Sequence, residues 1–283
     1  MKRLFIFLSM LIVALPVVSA QTGQTDLALL TATAESGDAK AQNGLAIRYY
    51  NGDGVVQSYE QAAIWFEKSA RQGNATAQNN LGFMYEEGKG VPQDYARALQ
   101  WYTMAANQGH AAAQANVAWF YENGFGTAQN YDEAFKWYQE SAAQGYAYGQ
   151  YSVGWFYDKG LGVAEDNTQA VQWYTLAAEQ GLPEAQYMLG LMYENGDGVA
   201  VDFSQAFHWY NEAAEGESPE AMLALGFFYE FGISVDEDIV QALAWYMIAS
   251  DYGNKDAASY VEDLSKDLSE QEIDAARQMA DDF

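Results

Sequence analysis

The sequence predicts an all-α solenoid of antiparallel helix pairs, and three observations predict it. Six segments of 36 residues start at Asp38, Asn74, His110, Tyr146, Leu182 and Ser218 and run without gap or insertion to Gly253. A period of that length marks stacked two-helix repeats. Each segment carries one tryptophan in the same column (Trp65, Trp101, Trp137, Trp173, Trp209, Trp245) with an alanine three residues before it, from Ala62 to Ala242, which is helical rather than strand spacing. Glycines punctuate the segments twice, once after each helix.

Taken in order, the chain opens with Lys2 and Arg3, continues through an apolar run from Leu4 to about Val18, and then offers Val18-Ser19-Ala20. This is the pattern of a cleavable signal peptide over residues 1–20, and it predicts a periplasmic or secreted protein that is not embedded in a membrane. The run contains Pro16 and is too short to span comfortably. Residues 21–37 read as an N-terminal capping helix that lacks the Trp-Tyr pair.

Residues 38–253 hold the repeats. Helix A fills about the second to fourteenth positions of each and ends at Gly52, Gly88, Gly124, Gly160, Gly196 or Gly232, where a left-handed residue is wanted. A short loop then ends in Ser58, Asp94, Asn130, Asp166, Asp202 or Asp238 as the N-cap of helix B. Gln61, Glu133, Gln169, Gln205 and Gln241 three positions on predict capping boxes, with Arg97 breaking the pattern. Helix B stops at Gly73, Gly109, Gly145, Gly181 and Gly253, and the fifth repeat reads Gly216-Glu217 instead. Small residues (Ala46, Gly82, Ala118, Gly154, Gly190, Gly226) beside Leu45, Leu81, Val117, Val153, Leu189 and Leu225 mark the helix A core, together with the tyrosines from Tyr49 to Tyr229. The tryptophan column is expected in that core. Residues 254–283 form capping helices, the last announced by Ser269-Glu270-Gln271-Glu272.

Composition narrows the function. With 39 acidic against 13 basic side chains the chain is a strong anion, which excludes nucleic acid as a partner and favours a protein or peptide with a basic surface. The charge gathers in the C-terminal half. No cysteine is present, so no disulfide staples the fold. The two histidines, His110 and His208, lie nearly three repeats apart, so neither a His/Cys metal site nor a serine nucleophile with its base can assemble. No carboxylate pair stands out from the repeating background. No catalytic residue, metal or cofactor is expected, and the protein reads as a non-enzymatic monomer.

The run Ala75 to Gly109 contains Ala-x-Ala-Gln-x-x-Leu-Gly-x-x-Tyr-x-x-Gly-x-Gly-Val followed by Asp-Tyr-x-x-Ala-x-x-Trp-Tyr-x-x-Ala-Ala-x-Gln-Gly. It resembles the SEL-one-like repeat, a relative of the tetratricopeptide repeat, over residues 38–253. The resemblance implies a right-handed superhelix used as an adaptor in protein complexes, with envelope, signalling or host-interaction roles for exported bacterial members. Ser234 and Glu217 depart from the pattern.

Opposite the constant face of helix A, the tenth repeat position holds Ile47, Phe83, Trp119, Trp155, Leu191 and Phe227, with Asn79, Asn80, Asn116, Tyr151 and Tyr187 nearby. By the resemblance helix A lines the concave surface. Asn80, Phe83, Asn116, Trp119, Tyr151, Trp155, Tyr187, Leu191 and Phe227 are therefore the candidate partner-binding residues, offering apolar anchors and backbone hydrogen bonds to an extended or helical peptide. The competing reading is that this ladder packs against adjacent A helices. A cell-wall module that binds or hydrolyses glycan or muropeptide, its sugars stacked on the aromatic row, is the alternative function.

Overall fold

The structure, a computed structural model, describes residues 20–283, with side chains from Asp26 onward. The expected signal peptide lies almost wholly outside the described residues. Among those described there are fifteen helices and no strand. Helix α1 (Ala20–Glu35) precedes six A/B pairs: α2 (Ala39–Asn51) and α3 (Tyr59–Arg71), α4 (Ala75–Glu87) and α5 (Tyr95–Ala106), α6 (Ala111–Asn123) and α7 (Tyr131–Ala143), α8 (Ala147–Lys159) and α9 (Asn167–Ala178), α10 (Pro183–Asn195) and α11 (Phe203–Glu215), α12 (Pro219–Glu230) and α13 (Ile239–Asp251). Two further helices, α14 (Ala257–Ser265) and α15 (Glu270–Asp281), close the chain. The described residues divide into two compact units, one ending at Ser141 and the other running from Ala142 to Phe283.

The B helices start where a side chain can cap them. Ser58, Asp94, Asp166, Asp202 and Asp238 accept the backbone N–H three residues ahead, which satisfies a donor that the first turn leaves free. The expected capping boxes do not close at these caps. The N-cap N–H, which the N3 side chain would have to accept, already donates to a tyrosine carbonyl at the end of helix A, Ser58 to Tyr49 at 2.9 Å and Asp94 to Tyr85 at 2.8 Å. That bond ties the loop to helix A. A complete reciprocal box forms only at Ser269 and Glu272 among the described caps, where no such carbonyl competes.

The two departures from the glycine pattern are the two non-glycine residues with positive φ among those described, Glu217 at 63° and Ser234 at 60°. At the position of Ser234 other repeats carry glycine for close approach: a Cβ built on Gly90 would sit 2.2 Å from the Tyr59 carbonyl oxygen. Ser234 instead exchanges a hydrogen bond with the Ser204 hydroxyl at 2.8 Å.

The core differs from expectation in one column. The tryptophans are half-buried, and the residue after each is the one at the centre, with Phe66, Tyr102, Tyr138, Tyr174, Tyr210 and Tyr246 at most 1% exposed. Helix geometry explains it. The invariant alanine and this aromatic are four residues apart and share the inward face, while the tryptophan is turned toward the preceding repeat. Trp65 packs on the cluster of α1 and α2, Trp101 on that of α3 and α4, Trp137 on that of α5 and α6, and Trp209 on that of α9 and α10. The tryptophans are staples between repeats.

Candidate functional site

The inward tyrosines build a feature that the residue pattern alone had not singled out. Because the small column has no Cβ at Gly82, the Tyr102 ring lies against helix A, and an added Cβ would meet its Cδ1 at 2.7 Å. The hydroxyl then reaches one turn further along α4 and donates to Glu86 at 2.5 Å. The arrangement recurs as Tyr138 to Glu122 at 2.8 Å, Tyr174 to Asp158 at 3.5 Å, Tyr210 to Glu194 at 2.5 Å and Tyr246 to Glu230. In the first repeat both members are replaced together, Phe66 for the tyrosine and Tyr50 for the acid. That joint replacement, with acids at 36-residue spacing, is the signal in the sequence that could have revealed the row.

Burial raises the Glu86 carboxyl to about 7, and the Tyr102 hydrogen bond opposes that rise. Burial and the neighbouring acid likewise push the Tyr102 phenol well above its ordinary range. The Tyr102 phenol therefore remains a donor at any physiological pH.

The predicted ladder lies beside this row and is half-buried in both units. In the first unit Phe83 packs on the cluster of α5 and α6 and meets Tyr50 edge-on at 6.4 Å. Lys89 sits over the Phe83, Tyr50 and Tyr59 rings at 5.1, 5.5 and 5.8 Å and donates to the Tyr50 hydroxyl at 3.0 Å. Trp119 leans on Phe125 at 4.9 Å. Asn80 and Asn116 are only 6% and 8% exposed, and the Asn116 amide donates to Asn79, so these two support helix packing and offer little surface to a ligand.

In the second unit Tyr151 and Tyr187 lean on the paired phenols of Tyr174 and Tyr210 at 5.7 and 5.8 Å. The Tyr187 phenol is raised to about 12 by burial, with Glu220 and Glu194 adding to it. Trp155 lies 5.0 Å beneath the Lys159 ammonium, which also pairs with Asp158 at 2.8 Å. Leu191 packs on the cluster of α11 and α12. Phe227 stacks with the exposed Phe231 and meets Tyr260 edge-on at 4.9 Å. The ladder is thus part packing and part surface: Phe83, Trp155 and Leu191 pack on the clusters of the helices that follow them, and each ladder side chain stays partly exposed.

His110 caps α6 by accepting from the Ala113 N–H at 3.2 Å, and burial lowers its pKa. Among the described residues no three His, Asp or Glu side chains gather as a metal site, and no helix is long and apolar enough to cross a membrane. A cavity of about 530 Å³ in the first unit is lined by Ala106, Gln114, Glu133, Lys136 and Trp137 among others.

Comparison with known proteins bears on these features. The Sel1 repeat profile matches residues 39–74, 75–110, 111–146, 147–182, 183–218 and 219–254. A Sel1 repeat protein from Oxalobacter formigenes is 35% identical, with a TM-score of 0.76, over 81% of this chain and 92% of that one. A protective antigen present in uropathogenic Escherichia coli strains, displaying an SLR fold, is 30% identical with a TM-score of 0.69. The match covers 90% of this chain and 64% of that longer one. Among curated proteins none matches the chain.

Proposed function

Because the chain belongs to the Sel1 repeat family, whose members generally act as scaffolds for protein–protein interaction, we propose that it is a non-enzymatic adaptor of the bacterial envelope. It binds a basic peptide or protein segment on the A-helix face. The observation that carries this reading is the composition of helix A within each unit: half-buried Phe83 and Trp119 with the acid Glu86 in the first, and half-buried Tyr151, Trp155, Tyr187, Leu191 and Phe227 with the acids Asp158, Glu194 and Glu230 in the second. Apolar anchors supply affinity, and the carboxylates select a cationic segment and steer its approach. Lys89 and Lys159, each on aromatic rings of this face, already occupy it as a partner's lysines would. Export of the chain rests on the pattern of residues 1–20, and the likeness to a protective antigen fits it.

The test is parallel capture from envelope extract by the wild type and by a Trp119→Ala/Trp155→Ala variant, with purified sacculi as a second bait. A polypeptide retained by the wild type and lost by the variant supports the adaptor reading. Binding to sacculi alone points to the cell-wall alternative.

A further inference from the structure

A second amide-based pair recurs along the chain. In four of the A helices a buried glutamine donates Nε2 to a carbonyl of the preceding helix, Gln42 to Ala34, Gln78 to Ala70, Gln114 to Ala106 and Gln186 to Ala178. Its Oε1 accepts from a glutamine at the end of its own helix B: Gln72 to Gln42 and Gln108 to Gln78 at 2.7 Å, and Gln180 to Gln150 at 2.6 Å.

The fifth repeat keeps the acceptor and loses the donor. Residue 216 is glycine, and Gln186 Oε1, in a side chain 5% exposed, has no partner. Elsewhere the chain gives up both members of such a pair at once. In the sixth repeat Tyr252 stands at the donor position and Met222 at the acceptor, just as Tyr50 and Phe66 together replace the acid–phenol pair in the first. A buried carbonyl kept without its donor is costly, so a donor from outside the chain is the economical account. The chain cannot supply one from residue 216, where a Cβ would meet Pro183 Cγ at 2.4 Å.

An unused donor lies alongside. The Trp209 indole Nε1 is buried without a partner, and the ring packs on the cluster containing Ala178 and Ala185. Two repeats earlier the corresponding residues, Ala106, Gln114 and Trp137, border a single cavity. Ala178, Gln186 and Trp209 hold the equivalent positions in the fifth repeat.

We infer that a recess at these positions, equivalent to the cavity of the third repeat, binds a carboxamide, the glutamine or asparagine side chain of a partner polypeptide. Its NH₂ donates to Gln186 Oε1, as the glutamine of other repeats does, and its carbonyl accepts from Trp209 Nε1. The site is distinct from the A-helix face and stands or falls independently of it.

The test follows the Trp209 indole N–H of the ¹⁵N-labelled full chain, assigned with Trp209→Phe, during titration with N-acetyl-glutamine methylamide and with its glutamate counterpart. The expected result is a saturable shift with the glutamine probe, at least roughly tenfold tighter than with glutamate because only the glutamine side chain both donates an N–H to the buried carbonyl and carries no charge into the site. The shift should vanish in Pro183→Ala/Gly216→Gln, which rebuilds the internal pair, and in Gln186→Leu should the double variant fail to fold. No saturable shift, equal response to the two probes, or a shift that survives both variants would overturn the proposal.

Discussion

Tyr102 crosses helix α4 at Gly82 and donates its hydroxyl to Glu86 four residues further along. A side chain at 82 would block the ring, and without the ring the carboxyl would be buried with no strong donor. The two features occur together at Gly82, Gly154, Gly190 and Gly226, while the third repeat makes the Tyr138–Glu122 pair beside Ala118.

A pH dependence follows from this pair. Glu86 is raised from 4.5 to about 7 in the folded chain, so the folded state holds its proton where the unfolded state has lost it. The sign is opposite to that of a salt-bridged carboxylate: stability is fully present below pH 4.5 and is lost as the pH rises through about 7. The penalty at alkaline pH is on the order of 3 kcal/mol. Urea unfolding between pH 4 and 8.5 should show this loss flattened in Glu86→Gln. Tyr102→Phe should move the transition to still higher pH, because the phenol hydrogen bond is what holds the carboxyl down.

Alanine in place of Gly226 should destabilise, although alanine is the better helix former. The new Cβ would lie 2.2 Å from Tyr246 Cε1. Overpacking of that kind costs about 1–3 kcal/mol, more than the roughly 1 kcal/mol that helix propensity returns. Thermal unfolding of Gly226→Ala checks the sign.

Glycine at 217 should stabilise. Glu217 takes φ of 63° at the end of α11, where other repeats carry glycine and a side chain costs about 1–2 kcal/mol. A gain of roughly 1 kcal/mol in Glu217→Gly by urea titration is the expected outcome, reduced by the extra freedom that glycine lends the unfolded chain.

The fold was legible because its signals repeat: glycines, N-cap residues and the inward alanines each occur at fixed spacing, and six copies distinguish pattern from coincidence. The depth of individual columns was not. Trp101 and Tyr102 are neighbours on one helix, and a turn of about 100° decides which is central; residue type alone favours the larger ring. The carboxylate row was hidden among many acids, and only the joint loss at Tyr50 and Phe66 betrays it. Asn80 and Asn116 look like ligands for a peptide backbone, but they lie a turn closer to the helix contact than the tenth-position row does.

The account turns most directly on the affinity of the captured partner for the wild type and for Trp119→Ala and Trp155→Ala taken singly, measured by calorimetry at two salt concentrations. It predicts at least about a 30-fold loss for either variant, roughly 2 kcal/mol, with cooperative unfolding retained and wild-type binding weakened by added salt. Unchanged affinity in both variants, or binding indifferent to salt, would contradict it.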